Sequence, residues 1–552
     1  MIADIHITEK SFGDKTLMKD VKFSVDDGEK VGVVGRNGVG KSTLFGILSG
    51  KDTDYTGEVI FRRGITVATT AQEHHGLGDQ TVMSYILGGL PEYSKLKKII
   101  DEYPLTMGDN MRKIEEYTQA LERFDQKGFY QVEEKIEREL SNFQLDGYSN
   151  RKISSLSGGQ KRLVEIVKIM HSEAHLALID EPTNHMDYVA KQQFIDWMNS
   201  QPHQAMLIIT HDRDVLGQVD RIVEIKDGQA VSYRGNYDAY LKQNAQATTA
   251  GMNNFEQIEK RIVNLKQKVL DYQRLKEKSR NPGTIQKFKR LENEARAELE
   301  ELSEMEKPTF WIDKESASQL DYKSAERYGK FKSRNIRLSM KDASSRSQHV
   351  LVRAENVAVG IGERILFEDV NIDLREGEAI EIRGRNGAGK TTLIRMILAS
   401  GKSFDDGPIL YSGDIFLDPQ VRIGVYEQEI DERYLSDPLE KAIEKLYMSR
   451  DLSISDTKIR QLLADYLFTD ADRMTPLARL SGGQKARFQI IAMLANDPQL
   501  LVLDEPTNHL DLPSIEELET ALAKYSGAIL YVSHDNYFRE KLGGKVVQIG
   551  AE

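Results

Sequence analysis

LIDEPTNHMD, residues 178–187, returns almost letter for letter as VLDEPTNHLD at 502–511. In both copies an apolar run, HLALID from 175 and QLLVLD from 499, ends in two adjacent acids, Asp180-Glu181 and Asp504-Glu505. Such a run reads as a strand buried on both faces of a parallel sheet. It delivers its last residue to the carboxyl edge of that sheet, where α/β folds bind ligands. Burying one carboxylate there is costly without a partner. Two adjacent ones imply two tasks, one acid facing a metal ion and the other, pointing elsewhere along the extended chain, facing water.

Working outward, the repeat widens. GRNGVGKST begins at Gly35 and GRNGAGKTT at Gly384; LSGGQK begins at Leu156 and at Leu480. The order is the same in both halves, and 23 residues separate Ser157 from Asp180 and Ser481 from Asp504. The chain is therefore a tandem duplication, with modules expected at 1–240 and 351–552 and a linker of different character at 241–350. Each Gly-rich stretch follows an apolar strand pattern and opens a helix, the context a P-loop requires. Its backbone N–H groups can cradle phosphate at the positive end of that helix. Lys41 and Lys390 would then reach the β- and γ-phosphates, and the hydroxyls of Ser42 and Thr391 would meet Mg²⁺.

Asp180 and Asp504 are the expected metal-side acids, and Glu181 and Glu505 the general bases or water-positioning groups. The runs LIITH (207–211) and LYVSH (530–534) place His211 and His534 at 31 and 30 residues after the two aspartates, as γ-phosphate contacts. Gln72 and Gln428 close strand-like runs between P-loop and LSGGQ and are expected near Mg²⁺ and the water. Ser157-Gly158-Gly159-Gln160 and Ser481-Gly482-Gly483-Gln484 each open a helix and form a second anion-binding corner. A module whose P-loop already holds phosphate has no use for a second corner. Each corner is explained if it serves the other module's nucleotide, with the modules closed head to tail.

The linker carries Ile258, Ile262, Leu265, Val269 and Tyr272 at helical spacing, then a turn at Asn281-Pro282-Gly283. A second stripe follows: Ile285, Phe288, Leu291, Ala295, Leu299 and Leu302, with Pro308 as its stop. A helix hairpin over 253–306 results, with arms of roughly 35–40 Å. Residues 261–290 hold ten basic side chains against Asp271 and Glu277, a local charge of +8 in a chain of net charge −12. The first module has 32 more residues between its glutamine and its LSGGQ than the second. Met111, Ile114, Tyr117, Leu121 and Phe124 give that surplus a helical stripe, so an inserted arm is expected near 91–125.

The chain has 552 residues and no cysteine, which excludes disulfides, iron–sulfur clusters and thiolate zinc sites. It contains no apolar run long enough to span a membrane and no signal-peptide pattern at its start.

P-loop, LSGGQ and DEPTNH in this order resemble the ABC ATPase superfamily, and tandem modules around a helical linker resemble its ABC-F subfamily. The resemblance implies an α/β fold of two tandem ABC-type P-loop ATPase domains joined by an α-helical hairpin. It implies ATP hydrolysis with ATP and Mg²⁺. It also implies a cytoplasmic, monomeric protein that pairs its modules intramolecularly and has no stable membrane partner. ABC-F members bind the ribosome near its tRNA exit site and regulate translation or protect it from antibiotics. On that pattern the hairpin would meet 23S rRNA and P-site tRNA, and the arm would touch the ribosome. Nucleotide contacts carry over to Gly35, Asn37, Gly38, Gly40, Lys41, Ser42 and Thr43 with Ser481, Gly482, Gly483 and Gln484 (site one). Site two takes Gly384, Asn386, Gly387, Gly389, Lys390, Thr391 and Thr392 with Ser157, Gly158, Gly159 and Gln160. The family often stacks an aromatic ring on adenine 23 residues before the first P-loop glycine. Phe12 fits in the first module, but Ile361 stands there in the second. A membrane importer with a tandem ATPase subunit is the alternative, though it needs no basic coiled coil between its halves. DNA-repair relatives use zinc cysteines or much longer coiled coils.

Overall fold

The computed structural model describes residues 1–12, 15–70, 79–106, 108, 110–184, 186–303, 310–318, 322–332, 335–338, 349–362, 364–401, 407–427 and 430–550. Met1–Tyr237 together with Ile336–Glu552 form one compact unit, and Asp238–Asn335 form a second.

In the first unit each module opens with a small antiparallel sheet. β1 (Ala3–Phe12) pairs with β2 (Lys15–Val25) and β4 (Thr56–Phe61). The core sheet combines β3 (Lys30–Gly35), β5 (Val67–Thr69), β6 (Leu176–Asp180), β7 (Ala205–Ile209), β8 (Arg221–Lys226) and β9 (Gln229–Arg234) in the order β5-β6-β7-β3-β8-β9. All its neighbours are parallel except β8 and β9. The second module repeats the plan. β10 (Val350–Ile361) pairs with β11 (Arg364–Arg375) and β13 (Pro408–Leu417). β12 (Ala379–Arg383), β14 (Ile423–Tyr426), β15 (Leu500–Asp504), β16 (Ala528–Val532) and β17 (Lys545–Gln548) form a parallel sheet ordered β14-β15-β16-β12-β17. β6 and β15 are buried at every position, as a strand covered on both faces must be. The α/β fold with two tandem modules and a helical hairpin is the one the motifs predict.

The surplus of the first module is a pair of helices, Tyr93–Thr106 and Met111–Gln126. Tyr103 donates to Glu116 at 3.0 Å and Arg123 to Glu92 at 3.0 Å, tying one helix to the other near both ends. The predicted stripe needs one correction. Phe124 is buried, with Ala120 beside it, but Met111, the first residue of its helix, is 76% exposed.

The second unit contains helices Tyr237–Lys278 and Pro282–Ser303. Leu265, Val269 and Ala295 are buried between them, and Tyr272 stacks on Phe288 with ring centroids 6.4 Å apart. Lys276–Glu292 and Arg261–Glu298 pair across the two helices. Two expectations change. The first helix has 42 residues and so runs about 63 Å, against about 33 Å for the 22-residue second; no proline interrupts it between Tyr237 and the basic region. The turn is also tighter than Asn281-Pro282-Gly283. Asn281 caps the second helix, its Oδ1 accepting from Gly283 N at 2.9 Å, and Pro282 takes the first helical position, where its missing N–H costs nothing. Pro308 lies outside the described residues. Among the described residues no helix is long and apolar enough to cross a membrane.

Candidate functional site

Parallel strands bring the motifs to one edge. β3 lies between β7 and β8, and β12 between β16 and β17, so each P-loop leaves a central strand. Gly40 and Gly389 cap the helices Lys41–Leu48 and Lys390–Leu398 with φ of 101° and 96°. A side chain is strained in that left-handed region, and glycine is not. Lys41 Nζ donates to the carbonyls of Gly35 (2.6 Å) and Arg36 (3.2 Å), and Lys390 Nζ to those of Gly384 (2.9 Å) and Arg385 (3.1 Å). Both ammonium groups are thus held over their own loops, and burial lowers the pKa of each.

One strand away, Asp180 and Asp504 end β6 and β15. Ser42 Oγ donates to Asp180 Oδ2 at 3.1 Å and Thr391 Oγ1 to Asp504 Oδ2 at 2.7 Å. Among the described residues no cluster of three or more His, Cys, Asp or Glu forms a self-sufficient metal cage. One carboxylate and one hydroxyl beside a phosphate cradle are the donor set of a Mg²⁺ that arrives with its nucleotide. Asp504 Oδ1 is buried without a hydrogen-bond partner, as is Glu505 Oε1. The residues present fit the ion.

The two acids do separate their tasks, though not by strand alternation. Glu181 and Glu505 leave the extended conformation altogether, with φ of 47° and 51°. Each still donates its N–H to the neighbouring strand, to Ile209 O at 2.8 Å and Val532 O at 3.0 Å. The chain therefore turns sharply at the glutamate while staying pinned to the sheet, which swings its carboxylate away from that of the aspartate. Left-handed backbone at a non-glycine residue stores strain and concentrates at functional positions. Each glutamate meets the histidine from the next strand, His211 Nε2 lying 3.5 Å from Glu181 Oε1 and His534 Nε2 3.3 Å from Glu505 Oε1. His534 N also donates to Glu505 Oε2 at 3.1 Å. Burial raises the pKa of both glutamates, making each a stronger base than an exposed carboxylate, and burial lowers that of both histidines, keeping them neutral. Both ring nitrogens of His211 are buried without a hydrogen-bond partner.

The signature corners are capping boxes. Ser157 Oγ accepts from Gln160 N while Gln160 Oε1 accepts from Ser157 N, and Ser481 with Gln484 do the same. Each faces the other module. A cleft of about 1390 Å³ has Ser157, Gly158 and Gly159 on one wall and Lys390, Thr391 and Glu505 on the other, with Ile361 and Ile365 at its rim. At site one the P-loop lies against the signature: a methyl added at Gly483 would sit 2.1 Å from Asn37 Nδ2. Gly35, Gly38, Thr43, Gly384, Gly387 and Thr392 lie in the two P-loops or the first helical turn after them, and Gly482 packs beside His509. Phe12 is 56% exposed with Lys10 Nζ 4.7 Å from its ring centroid, and Ile361 is 53% exposed. Gln72 and Gln428 lie outside the described residues.

Asp187 and Asp511 complete the crossing. Each uses Oδ1 to cap its own helix, accepting from Ala190 N (2.9 Å) and Ser514 N (3.1 Å). Each uses Oδ2 to accept a P-loop amide of the other module, Asn386 N at 3.1 Å and Asn37 N at 3.0 Å. Burial by itself would raise both carboxyls, yet these donors hold them below the ordinary aspartate range. The motif by itself does not state this division of oxygens. Sequence reasoning also misses Tyr148, whose hydroxyl accepts from Gln160 Nε2 at 3.2 Å, and Lys191, treated below. Aligning the two repeats shows a signal for Lys191, a lysine where the second copy has an aliphatic.

The sequence profile of the family described as ABC transporter matches residues 18–184 and 367–508. The chain is 30% identical to YdiF of Bacillus subtilis (strain 168), aligned over all of this chain and 80% of the relative. It is 27% identical to the ribosome protection protein VmlR of the same organism, over 96% of this chain and 83% of VmlR. It is also 27% identical to the energy-dependent translational throttle protein EttA of Mycobacterium tuberculosis (strain CDC 1551 / Oshkosh), over 96% of this chain and 88% of EttA. A solved complex of the archaeal ribosomal stalk protein aP1 with the archaeal ribosome recycling factor aABCE1 superposes with a TM-score of 0.58 at 17% identity, covering 99% of this chain and 87% of that one; it shows the fold. The alignments run through both modules and the hairpin between them. The chain belongs to the ABC-F subfamily of ABC ATPases, and it binds and hydrolyses ATP.

Proposed function

We propose that this ABC-F ATPase is a cytoplasmic ribosome-binding factor that closes its modules on two ATP molecules, docks near the tRNA exit site, modulates translation there or protects it from antibiotics, and leaves on hydrolysis. The observation that carries the reading is the hairpin. Lys266, Lys268, Arg274, Lys278, Arg280, Lys287 and Lys289 are exposed around its turn, in a chain that is otherwise strongly acidic. Such a cluster is suited to RNA phosphates. The printed names of EttA and VmlR, which tie those proteins to translation and the ribosome, support it.

In each site Lys41 or Lys390 leaves its loop carbonyls for the β- and γ-phosphates, which the helix N-terminus also holds. Ser42 with Asp180, and Thr391 with Asp504, would hold Mg²⁺, which would supply neutralisation of phosphate charge. Glu181 or Glu505 takes a proton from the attacking water, while His211 or His534 donates a ring N–H to the γ-phosphate. The water oxygen bonds to γ-phosphorus as the bond to the β-bridging oxygen breaks, giving ADP and phosphate. Signature serine and glycine amides from the other module close over the γ-phosphate, so its loss removes what the modules share.

Co-sedimentation tests the reading. The Glu181→Gln, Glu505→Gln double variant should pellet with ribosomes in ATP and not in ADP, and the bound fraction should fall steeply with salt. Absence of binding in ATP would overturn it. Raised drug tolerance on expression, lost when 280–290 is deleted, would assign protection; a change in translation rate without tolerance would assign regulation.

A further inference from the structure

The helix Tyr188–Ser200 starts from Asp187, which already holds the P-loop of site two. One turn on, the same helix carries Lys191, 4% exposed. An ammonium group has three N–H donors, and here all three find oxygens. Lys191 Nζ lies 2.6 Å from Asp214 Oδ2, 3.2 Å from Asp212 Oδ2 and 2.8 Å from the backbone carbonyl of His534. The two aspartates follow His211 in the first module. The third acceptor belongs to the second module and is the peptide carbonyl of the histidine assigned to the γ-phosphate of site two. Asn536, two residues beyond it, donates to the same Asp214 Oδ2 at 2.8 Å.

Burying a lysine is unfavourable unless it is fully paired, and packing alone does not call for one. The duplicated helix Leu512–Ala523 demonstrates this: its residue one turn past Asp511 is Ile515, 2% exposed. That helix keeps the contact to Asn37 of site one, but an aliphatic side chain cannot bond the carbonyl of His211. Site two is gripped from the first module at both P-loop and histidine loop. Site one is gripped by the corresponding helix at the P-loop and, two residues past the histidine, by the buried Glu519–Arg213 ion pair at 2.9 Å; Ile515 offers no donor to the histidine's own carbonyl.

We propose that Lys191 is a positioning residue for site two, fixing the His534 loop in trans by its backbone carbonyl when the modules close, with no equivalent lysine at site one. The proposal rests on the reading of His534 as a γ-phosphate contact. When the modules part, Lys191 keeps Asp212 and Asp214, which move with it, and gives up only the His534 carbonyl. Closure of the modules therefore acts on the histidine's own carbonyl at site two, and at site one only on the Arg213 side chain two residues beyond the histidine.

The test is a single-turnover measurement on the full chain, loaded with ATP and started with Mg²⁺, in which phosphate release resolves the two sites. Glu181→Gln and Glu505→Gln identify which phase belongs to which site. Lys191→Met should slow the site-two phase by at least about tenfold and the site-one phase by less than about twofold, with little change in the ATP concentration giving half the rate. Lys191→Arg should recover part of the loss. Equal slowing of both phases, with or without a fall in melting temperature, overturns the proposal as a general structural effect, and so does slowing of neither. Because Lys191→Met strands two aspartates, Lys191→Gln, which keeps amide N–H donors, is measured beside it and should show the same site preference. A site-two phase that survives His534→Ala defeats the γ-phosphate reading; one that falls with His534→Ala but not with Lys191→Met defeats the proposal alone.

Discussion

At site one, Asn37 reaches the carbonyl of His509 at 2.9 Å and fills the space a side chain at Gly483 would need, so P-loop and signature touch. At site two the same two motifs face each other across a cleft of about 1390 Å³, while Asp187 and Lys191 hold the rim from the first module. The comparison teaches that a duplicated sequence motif does not guarantee a duplicated site. Each site is half built from the other copy, so a difference in either module is expressed across the interface. Lys191 lies on the first module and changes the second module's site.

The largest expected effect removes both sites alike and sets the baseline. The Glu181→Gln, Glu505→Gln double variant should lose about 10²- to 10⁴-fold in ATP turnover, the range for a general base, measured as steady-state phosphate release. Each single variant then reports the site that remains. Unequal residual rates would sharpen the contrast between the sites, and equal rates would break it.

Gly483→Ala is next. Its methyl group would displace Asn37 and should weaken closure at site one by about 1–3 kcal/mol, the usual scale of overpacking. Asn37→Ala should relieve it, so a double-mutant cycle on ATP-dependent closure, followed by scattering or energy transfer, would show a large coupling term. Additivity would mean that the contact does not govern closure.

Smaller effects are expected at the nucleobase. Phe12→Ala should weaken ATP binding at site one by about 1 kcal/mol, within the range for a lost aromatic stack. Ile361→Phe should strengthen site two by no more than that, as read by titration of the double Gln variant. A loss at site two from Phe12→Ala would break the assignment of the ring to site one. The smallest effect is Met186→Leu, which copies Leu510 of the second repeat. Volume is conserved and both side chains are buried, so a melting-temperature change beyond that of about 1.5 kcal/mol would be a surprise.

Much of the molecule was legible beforehand, for physical reasons. Apolar runs ending in acids could only be buried strands reaching a sheet edge, and Gly-rich stretches before helices could only be phosphate cradles. The stripe Leu265, Val269 and Ala295 fixed the hairpin seam, because period and burial are linked in helices. The arm was visible as a surplus of residues with helical spacing. What escaped was set by contacts between residues distant in sequence. The left-handed turn at Glu181 and Glu505 depends on a neighbouring strand accepting their N–H groups, and nothing in DEPTNH states it. The length of the first hairpin helix escaped because its N-terminal portion lacks the coiled-coil stripe that marked the rest.

The sequence by itself determined that there are two ATPase modules, that each carries every motif, and that a basic hairpin lies between them. These follow from local pattern: spacing, periodicity and charge are written along the chain. Only the tertiary structure decided which oxygen of Asp187 caps a helix and which crosses to the other module. It also decided that Asn37 closes one site and that Lys191 spends its three donors on two modules. Those outcomes depend on groups hundreds of residues apart meeting within hydrogen-bond distance, and a hydrogen bond is decided by position to a few tenths of an ångström, which no pattern of letters specifies.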